Sequence, residues 1–67
     1  MNIALLGFGT VGKAFYELTL GRTDLRVTTV FSRRPRPELH CTVTADFDEI
    51  LRDRSIDLVV EVMGGLE

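Results

Sequence analysis

Several features of ordinary proteins are scarce in this sequence. Cys41 is the only cysteine, so no disulfide can form within the chain. No apolar run approaches the roughly 20 residues that a membrane-spanning helix needs, and the N-terminus lacks the basic, apolar and cleavage regions of a signal peptide. A lone thiol suits a reducing compartment. We therefore expect a cytoplasmic protein without a membrane partner.

The sequence also lacks a large excess of charge of either sign. The net charge is only −2, which leaves no global positive field to attract nucleic acid or anionic lipid. His40 and Cys41 are neighbours, but no second histidine or cysteine exists to complete a metal site with them. No set of nucleophile, base and orienting group is recognisable. We predict no nucleic-acid partner, no metal site and no catalytic residue in this sequence.

The chain is short for a complete domain. Its 67 residues compare with roughly 100–150 in a typical domain, although 45% apolar and 27% charged residues are ordinary globular values. A strand-like run follows Met1 directly, and a Gly-Gly turn after another strand-like run closes the sequence. We expect residues 1–67 to be the N-terminal portion of one larger domain, without internal boundaries or repeats, and the substrate domain to lie outside them.

Strand and helix patterns alternate along the chain. Apolar and β-branched runs predict strands at residues 3–6, 25–31, 41–44 and 56–63. The prolines at 35 and 37 exclude regular structure between the second and third strands. This order favours an α/β fold, specifically a Rossmann-type doubly wound parallel sheet of which only the N-terminal part is present.

Two helices are predicted between the strands. The first shows an apolar stripe at helical spacing, formed by Val11, Ala14, Phe15 and Leu18. Gly21 is expected to end this helix in a left-handed conformation. Asp46 and Glu49 have the spacing of a capping box at the start of a short second helix.

A glycine-rich segment lies between the first strand and the first helix, which is the context that a G-x-G-x-x-G dinucleotide motif requires. Gly7 would permit a tight turn, Gly9 would let a pyrophosphate approach the backbone, and Gly12 would let the helix pack closely on the sheet. The helix N-terminus would attract the phosphates. The predicted cofactor-binding residues here are Gly7, Phe8, Gly9, Thr10, Val11 and Gly12. The alternative is a turn that binds nothing, and the spacing does not fit a P-loop.

The residues after the second strand indicate which dinucleotide is bound. An acidic side chain there would bind the adenosine ribose of NAD, but no carboxylate occurs in residues 25–37. A 2′-phosphate prefers guanidinium groups. We therefore predict NADP as the preferred cofactor and NAD as the alternative, with Arg33 as the main contact, Arg34 as the second and Ser32 as a hydroxyl donor. A solvated basic loop is the competing interpretation, and Arg36 is expected to be solvated.

The last strand leads into a further candidate site. Gly64 and Gly65 follow its carboxyl end, the edge at which open α/β sheets bind ligands. Gly64 is predicted to lie against the nicotinamide half of the cofactor, with a flexible turn as the alternative. Glu61 is unusual in so apolar a strand, since a buried carboxylate needs a partner. It would face the cofactor ribose, a polar partner or solvent, and we assign it no catalytic role.

Two segments together resemble the N-terminal signatures of homoserine dehydrogenase. These are residues 1–12, which contain G-x-G-T-V-G, and residues 57–65, which read D-L-V-V-E-V-M-G-G. The helix-forming residues 46–51 are also similar, so the resemblance covers nearly the whole chain. The family interconverts L-aspartate 4-semialdehyde and L-homoserine with NAD(P)H, on the route to threonine, methionine and isoleucine.

The resemblance implies roles for individual residues. It places the pyrophosphate at Gly7 and at residues 9–12, the 2′-phosphate at Arg33 and the nicotinamide ribose near Gly64. The catalytic lysine and the acidic substrate-binding residues of the family have no matching position, so these residues alone are expected to be inactive. The parent enzyme is expected to act on a small molecule as a homodimer.

Two other functions compete with this one. Other NAD(P)-dependent amino-acid or semialdehyde dehydrogenases have similar early segments, although the turn at residues 63–65 argues against most of them. A non-catalytic nucleotide-sensing domain, such as those that gate potassium transport, would share the glycine motif. Those sensors usually carry an acidic residue after the second strand, where this chain has residues 32–34.

Overall fold

A computed structural model describes residues 1–62. Its elements are β1 (Asn2–Leu6), α1 (Thr10–Leu20), β2 (Arg26–Phe31), β3 (Thr42–Thr44), α2 (Phe47–Arg52) and β4 (Leu58–Glu61). The predicted order of strands and helices is confirmed, and the strand ends lie within two residues of the expected positions.

The strands form one parallel sheet in the order β3-β2-β1-β4. The chain therefore starts at the centre of the sheet, moves out to one side and returns to the other side of β1. The first four strands of a Rossmann sheet have this same order. The predicted α/β class with a parallel sheet is confirmed, and all four strands end at a common carboxyl edge.

The two helices cover opposite faces of the sheet. Leu5 of β1 is fully buried in the core, and Phe15 of α1 packs against that core. The next residue of the strand, Leu6, points to the other face and pairs in register with Phe31. The Phe31 ring lies edge-on to Phe47 of α2, with 6.1 Å between the ring centroids. Each face of the sheet therefore has its own helix.

A bulge in β2 places its valines on one face. Ile3 pairs with Val27, but the next residue of β1 pairs with Thr29, so Thr28 is an extra residue in the ladder. Val27 and Val30 would face opposite sides of a regular strand. With Thr28 inserted, both join the same core as Ile3.

The buried face of α1 differs from the predicted stripe. Val11 and Leu18 are 64% and 74% exposed. The face turned to the sheet lies one position later at the same helical spacing and consists of Gly12, Phe15, Tyr16 and Thr19. The Thr19 hydroxyl donates to the Tyr16 carbonyl at 2.8 Å, which lets a polar side chain sit on that face. The stripe prediction was therefore wrong by one residue in phase.

The end of α1 also differs from expectation. Gly21 has φ −90° and ψ 3°, so it is not left-handed. The helix closes with a tight turn, in which the Arg22 N–H donates to the Thr19 carbonyl at 3.0 Å. A side chain at position 21 would meet nothing within 4 Å. The glycine is therefore not required by the backbone or by the packing there.

Asp46 caps α2, but not through a capping box. Its Oδ1 accepts from the Asp48 N–H at 3.0 Å. The reciprocal bond from Glu49 is not formed, because the Asp46 N–H donates instead to the Thr44 hydroxyl at 3.0 Å. The predicted helix start is confirmed, and the predicted capping pattern is wrong.

Candidate functional site

The carboxyl edge of the sheet brings the predicted site residues together. The glycine loop leaves β1 beside the loop formed by residues 32–37, which leaves β2. The Gly7 N–H donates to the Phe31 carbonyl at 2.9 Å, and the Val62 N–H donates to the Leu6 carbonyl at 3.0 Å. These bonds extend the ladder beyond the strands. They fix the start of the glycine loop between the ends of β2 and β4.

At two glycines of this loop, a side chain would strain the structure. Gly7 has φ 102°, which L side chains rarely adopt, and this conformation turns the chain out of β1. A Cβ on Gly12 would lie 2.9 Å from the Gly7 carbonyl oxygen and 3.2 Å from Cγ2 of Val62. The helix thus approaches the sheet as closely as its backbone allows. The tight turn and the close packing predicted for these two glycines are confirmed.

The N-terminus of α1 is open to an anion. Gly9 is the N-cap and has no side chain to accept from the first N–H groups, and the first turn carries no acidic residue. The first intrahelical bond runs from the Lys13 N–H to the Gly9 carbonyl at 2.9 Å. The earlier amides, including those of Thr10 and Val11, have no partner within the helix. The positive end of the helix dipole therefore meets no carboxylate of its own helix.

The Phe8 side chain belongs to the core and not to the surface of the loop. It is 5% exposed, and its ring lies edge-on to Tyr16 with 5.7 Å between the centroids. This ring anchors the glycine loop to α1. The sequence predicts a cofactor contact at Phe8, and only the backbone of this residue is in a position to make it.

The loop after β2 exposes two of its three arginines. Arg33 and Arg34 are exposed. The Ser32 hydroxyl donates to the Arg34 carbonyl at 2.9 Å and accepts from the Arg34 N–H at 3.2 Å. A serine has one hydroxyl hydrogen, so donation from Ser32 to a phosphate would require this bond to break. The backbone of Ser32 is held by the Thr44 carbonyl at 2.9 Å.

Arg36 is only partly exposed and contacts the protein, contrary to the solvated position predicted for it. It is half-buried, and its guanidinium carbon lies 5.6 Å from the centroid of the Phe8 ring. Its Nε donates a long hydrogen bond of 3.4 Å to the Ser32 hydroxyl. This contact joins the two loops at the carboxyl edge. Sequence reasoning missed it, because the only signal is an aromatic residue in one loop and a cation in the other.

The remaining candidates flank this site. Glu61 is exposed on β4, the outer strand of the sheet in residues 1–62, and pairs in register with Leu6. An exposed position at a sheet edge was one of the environments expected for it. Gly64 lies outside the described residues, so its predicted contact stays a prediction.

A second surface feature lies at the opposite edge of the sheet. It is a shallow depression of about 410 Å³, lined by Arg26, Val27, Thr28, His40, Cys41 and Thr42. Burial raises the pKa of the Cys41 thiol, which disfavours the reactive thiolate. Open α/β sheets bind ligands at the carboxyl edge. We therefore place the functional site at the glycine loop and not in this depression.

Two further findings concern metal ligands and membrane spans in the described part of the chain. No three His, Cys, Asp or Glu side chains within residues 1–62 lie together as a metal site would require. No helix in that range is long and apolar enough to cross a membrane.

We compared the chain with known proteins and found solved structures that match it over its full length. Comparisons with protein-family models and with curated proteins each found no match. The crystal structure of homoserine dehydrogenase from S. aureus at pH 8.5 matches with a TM-score of 0.81 and 34% identity. The structure of that enzyme at pH 6.5 matches with a TM-score of 0.77 and 33% identity.

The extent of these matches is the same in both cases. They cover 100% of this chain and 20% of the S. aureus chain. The chain thus spans one fifth of the length of the proteins it matches, consistent with an N-terminal segment. The resemblance predicted from the two sequence signatures is confirmed.

Proposed function

We propose that this chain is the N-terminal, cofactor-binding segment of a homoserine dehydrogenase, which interconverts L-aspartate 4-semialdehyde and L-homoserine with NAD(P)H. The observation that carries the proposal is 34% identity over the whole chain, together with a TM-score of 0.81. The substrate and the biosynthetic route are those that the sequence signatures imply. The catalytic groups belong to the rest of the enzyme.

The glycine loop fits the pyrophosphate of a dinucleotide. Close approach of an anion needs a backbone without a Cβ and free N–H groups. The conformation of Gly7, the packing of Gly12 and the uncapped helix start at Gly9 meet these needs. Residues 7–12 would hold the diphosphate, and the bound cofactor would supply the hydride donor or acceptor of the reaction.

We propose NADP as the preferred cofactor. Arg33 and Arg34 are exposed in the loop after β2, at the edge where the glycine loop lies. Residues 25–37 contain neither Asp nor Glu, so no carboxylate in this stretch is available to bind a ribose hydroxyl. A guanidinium fork suits the 2′-phosphate, which NAD lacks. Arg33 is the main contact in this proposal.

Replacement of Arg33 tests the preference. In the full-length protein, Arg33→Ala is expected to weaken NADPH binding by about 10–100-fold, the worth of a charge-assisted hydrogen bond. NADH binding should change less than about twofold, because the lost contact faces the phosphate that NADH lacks. Arg54→Ala is the matched control, since Arg54 is exposed and precedes β4 at the opposite edge. An unchanged ratio of NADPH to NADH affinity in Arg33→Ala would refute the assignment.

The activity itself has a direct test. The full-length protein should oxidise L-homoserine with NADP, followed by the absorbance of NADPH. Turnover of a different amino alcohol or semialdehyde, with none of homoserine, would assign the protein to another dehydrogenase. Nucleotide binding without turnover of any of these substrates would favour the sensor function.

We also propose that the full-length enzyme is a cytoplasmic homodimer. The proposal rests on the resemblance to the family. Light scattering of the purified full-length protein measures the molar mass, and the mass of one chain would contradict the dimer.

A further inference from the structure

Arg36 connects the two loops of the cofactor site. We propose that Arg36 is a positioning residue, which holds the loop of residues 32–37 against the glycine loop and thereby sets the preference for a 2′-phosphate. This inference rests on the proposed function, because it concerns the same dinucleotide site. It gives Arg36 a role that differs from that of Arg33, which would contact the phosphate itself.

The contact with Phe8 is built on a rigid platform. Phe8 is buried and packs against Tyr16, so its ring is held in place below the guanidinium. The 5.6 Å between the guanidinium carbon and the ring centroid is within the range of a cation–π contact. Because Arg36 is half-buried, this contact is less screened by water than one on the open surface. The glycine loop therefore supplies the surface on which the second loop rests.

The backbone at Arg36 is restrained on both sides. Pro35 and Pro37 flank it, and each proline ring fixes its own φ. The Arg36 carbonyl accepts from the Leu39 N–H at 3.0 Å. Leu39 is 8% exposed and belongs to the main core. These restraints lower the entropy that the loop loses when the Arg36 side chain is fixed.

Arg36 also reaches the residues that face the phosphate. Its Nε donates to the Ser32 hydroxyl at 3.4 Å, and the same hydroxyl bonds both backbone groups of Arg34. The hydroxyl is thus a link from Arg36 to the backbone that carries Arg34. Of three arginines in one short loop, Arg36 turns to the protein, while Arg33 and Arg34 stay exposed. Loss of Arg36 would leave the two exposed guanidinium groups on a looser loop.

Binding measurements on the full-length protein test this role. Arg36→Ala is expected to weaken NADPH binding by about 3–10-fold, the worth of one partly desolvated cation–π contact. NADH binding should change less than about twofold, which also shows that the variant is folded. Phe8→Leu removes the ring without removing a charge and should lower the ratio of NADPH to NADH affinity by a similar factor, whatever it does to the affinity that both cofactors share. The double variant should lower this ratio no further than the single variants, because both remove the same contact.

Hydrogen exchange without any cofactor gives a second measurement that does not depend on Phe8→Leu. A positioning role predicts faster exchange in residues 32–39 of Arg36→Ala than in the wild type. Arg54→Ala removes the same charge at the opposite edge and should leave both exchange and affinity unchanged. A direct contact between Arg36 and the phosphate predicts no change in exchange before the cofactor is added.

Three outcomes would overturn the proposal. These are an Arg36→Ala variant that behaves like Arg54→Ala, a double variant whose losses multiply, and unchanged exchange in residues 32–39. If the wild-type protein binds NADPH no better than NADH while residues 32–39 still loosen in Arg36→Ala, the NADP assignment fails and the loop contact stands. The failure of one is therefore distinguishable from the failure of the other.

Discussion

Gly12→Ala is the most direct perturbation of the contact between α1 and the sheet. The new Cβ would lie 2.9 Å from the Gly7 carbonyl oxygen, whereas ordinary contact begins at 3.4 Å. Gly7 cannot yield easily, because its φ is 102° and its N–H is bonded to the Phe31 carbonyl. The start of α1 must therefore move away from β1 by about half an ångström, the deficit in that contact.

Two opposing effects set the size of the change. Overpacking against backbone costs about 1–3 kcal/mol. Replacing glycine by alanine in a helix regains up to about 1 kcal/mol, so a net loss of up to about 3 kcal/mol is expected. Gly21→Ala is the matched control, because nothing lies within 4 Å of its Cβ and its φ of −90° suits alanine. That variant should gain about 0.4–1 kcal/mol, through a less flexible unfolded chain.

Native-state hydrogen exchange at the β1 amides of the full-length protein measures this difference. Exchange there reports the opening free energy of this sheet and not of the rest of the protein. Gly12→Ala should exchange faster than the wild type and Gly21→Ala slower or equally. Affinity for NADPH and NADH should fall by the same factor in Gly12→Ala, because both carry the pyrophosphate. Equal protection in the two variants would refute the steric reasoning.

Three further predictions concern residues outside the glycine loop. Asp46→Ala removes the acceptor for the Asp48 N–H and should destabilise the fold by about 1 kcal/mol, measured by urea unfolding. The hydrogen bond from Arg22 lowers the pKa of Asp24 to about 2, so Arg22→Ala should return the NMR titration midpoint of Asp24 toward 3.8. Since the folded-state pKa is lowered, the pair favours the folded state above pH 3.8 and this contribution is lost as the pH falls through about 2. Burial raises the pKa of Cys41, so iodoacetamide at mildly alkaline pH should alkylate it more slowly than it alkylates free cysteine; an equal rate would contradict this.

The glycine loop could be predicted from the sequence because its requirements are local. Gly7 and Gly12 are set by the turn and by the packing directly next to them, and both effects follow from the motif. The phase of α1 could not be obtained from apolar spacing alone. Val11 and Leu18 are as apolar as Phe15, and two adjoining faces of the helix fit the same period. Gly12 decides between these two faces, because only a glycine allows the helix to approach the sheet so closely.

Non-local features were beyond sequence reasoning. The contact of Arg36 with Phe8 depends on the parallel pairing of β1 with β2, which brings the two loops side by side. The bulge at Thr28 depends on which valines the core admits. Neither feature has a spacing that a single sequence reveals.

The position of β1 has a consequence for how the chain is made. Asn2 and Asp57 bond to each other at the start of β1 and β4, although they are separated by 55 positions. At about 5–20 residues per second, a ribosome needs roughly 3–11 s to cover that distance. Within residues 1–62, β1 is thus made before its two neighbours and gains the second of them only when β4 has been made. Throughout that interval at least one side of β1 is open, and an open strand edge can pair with other chains.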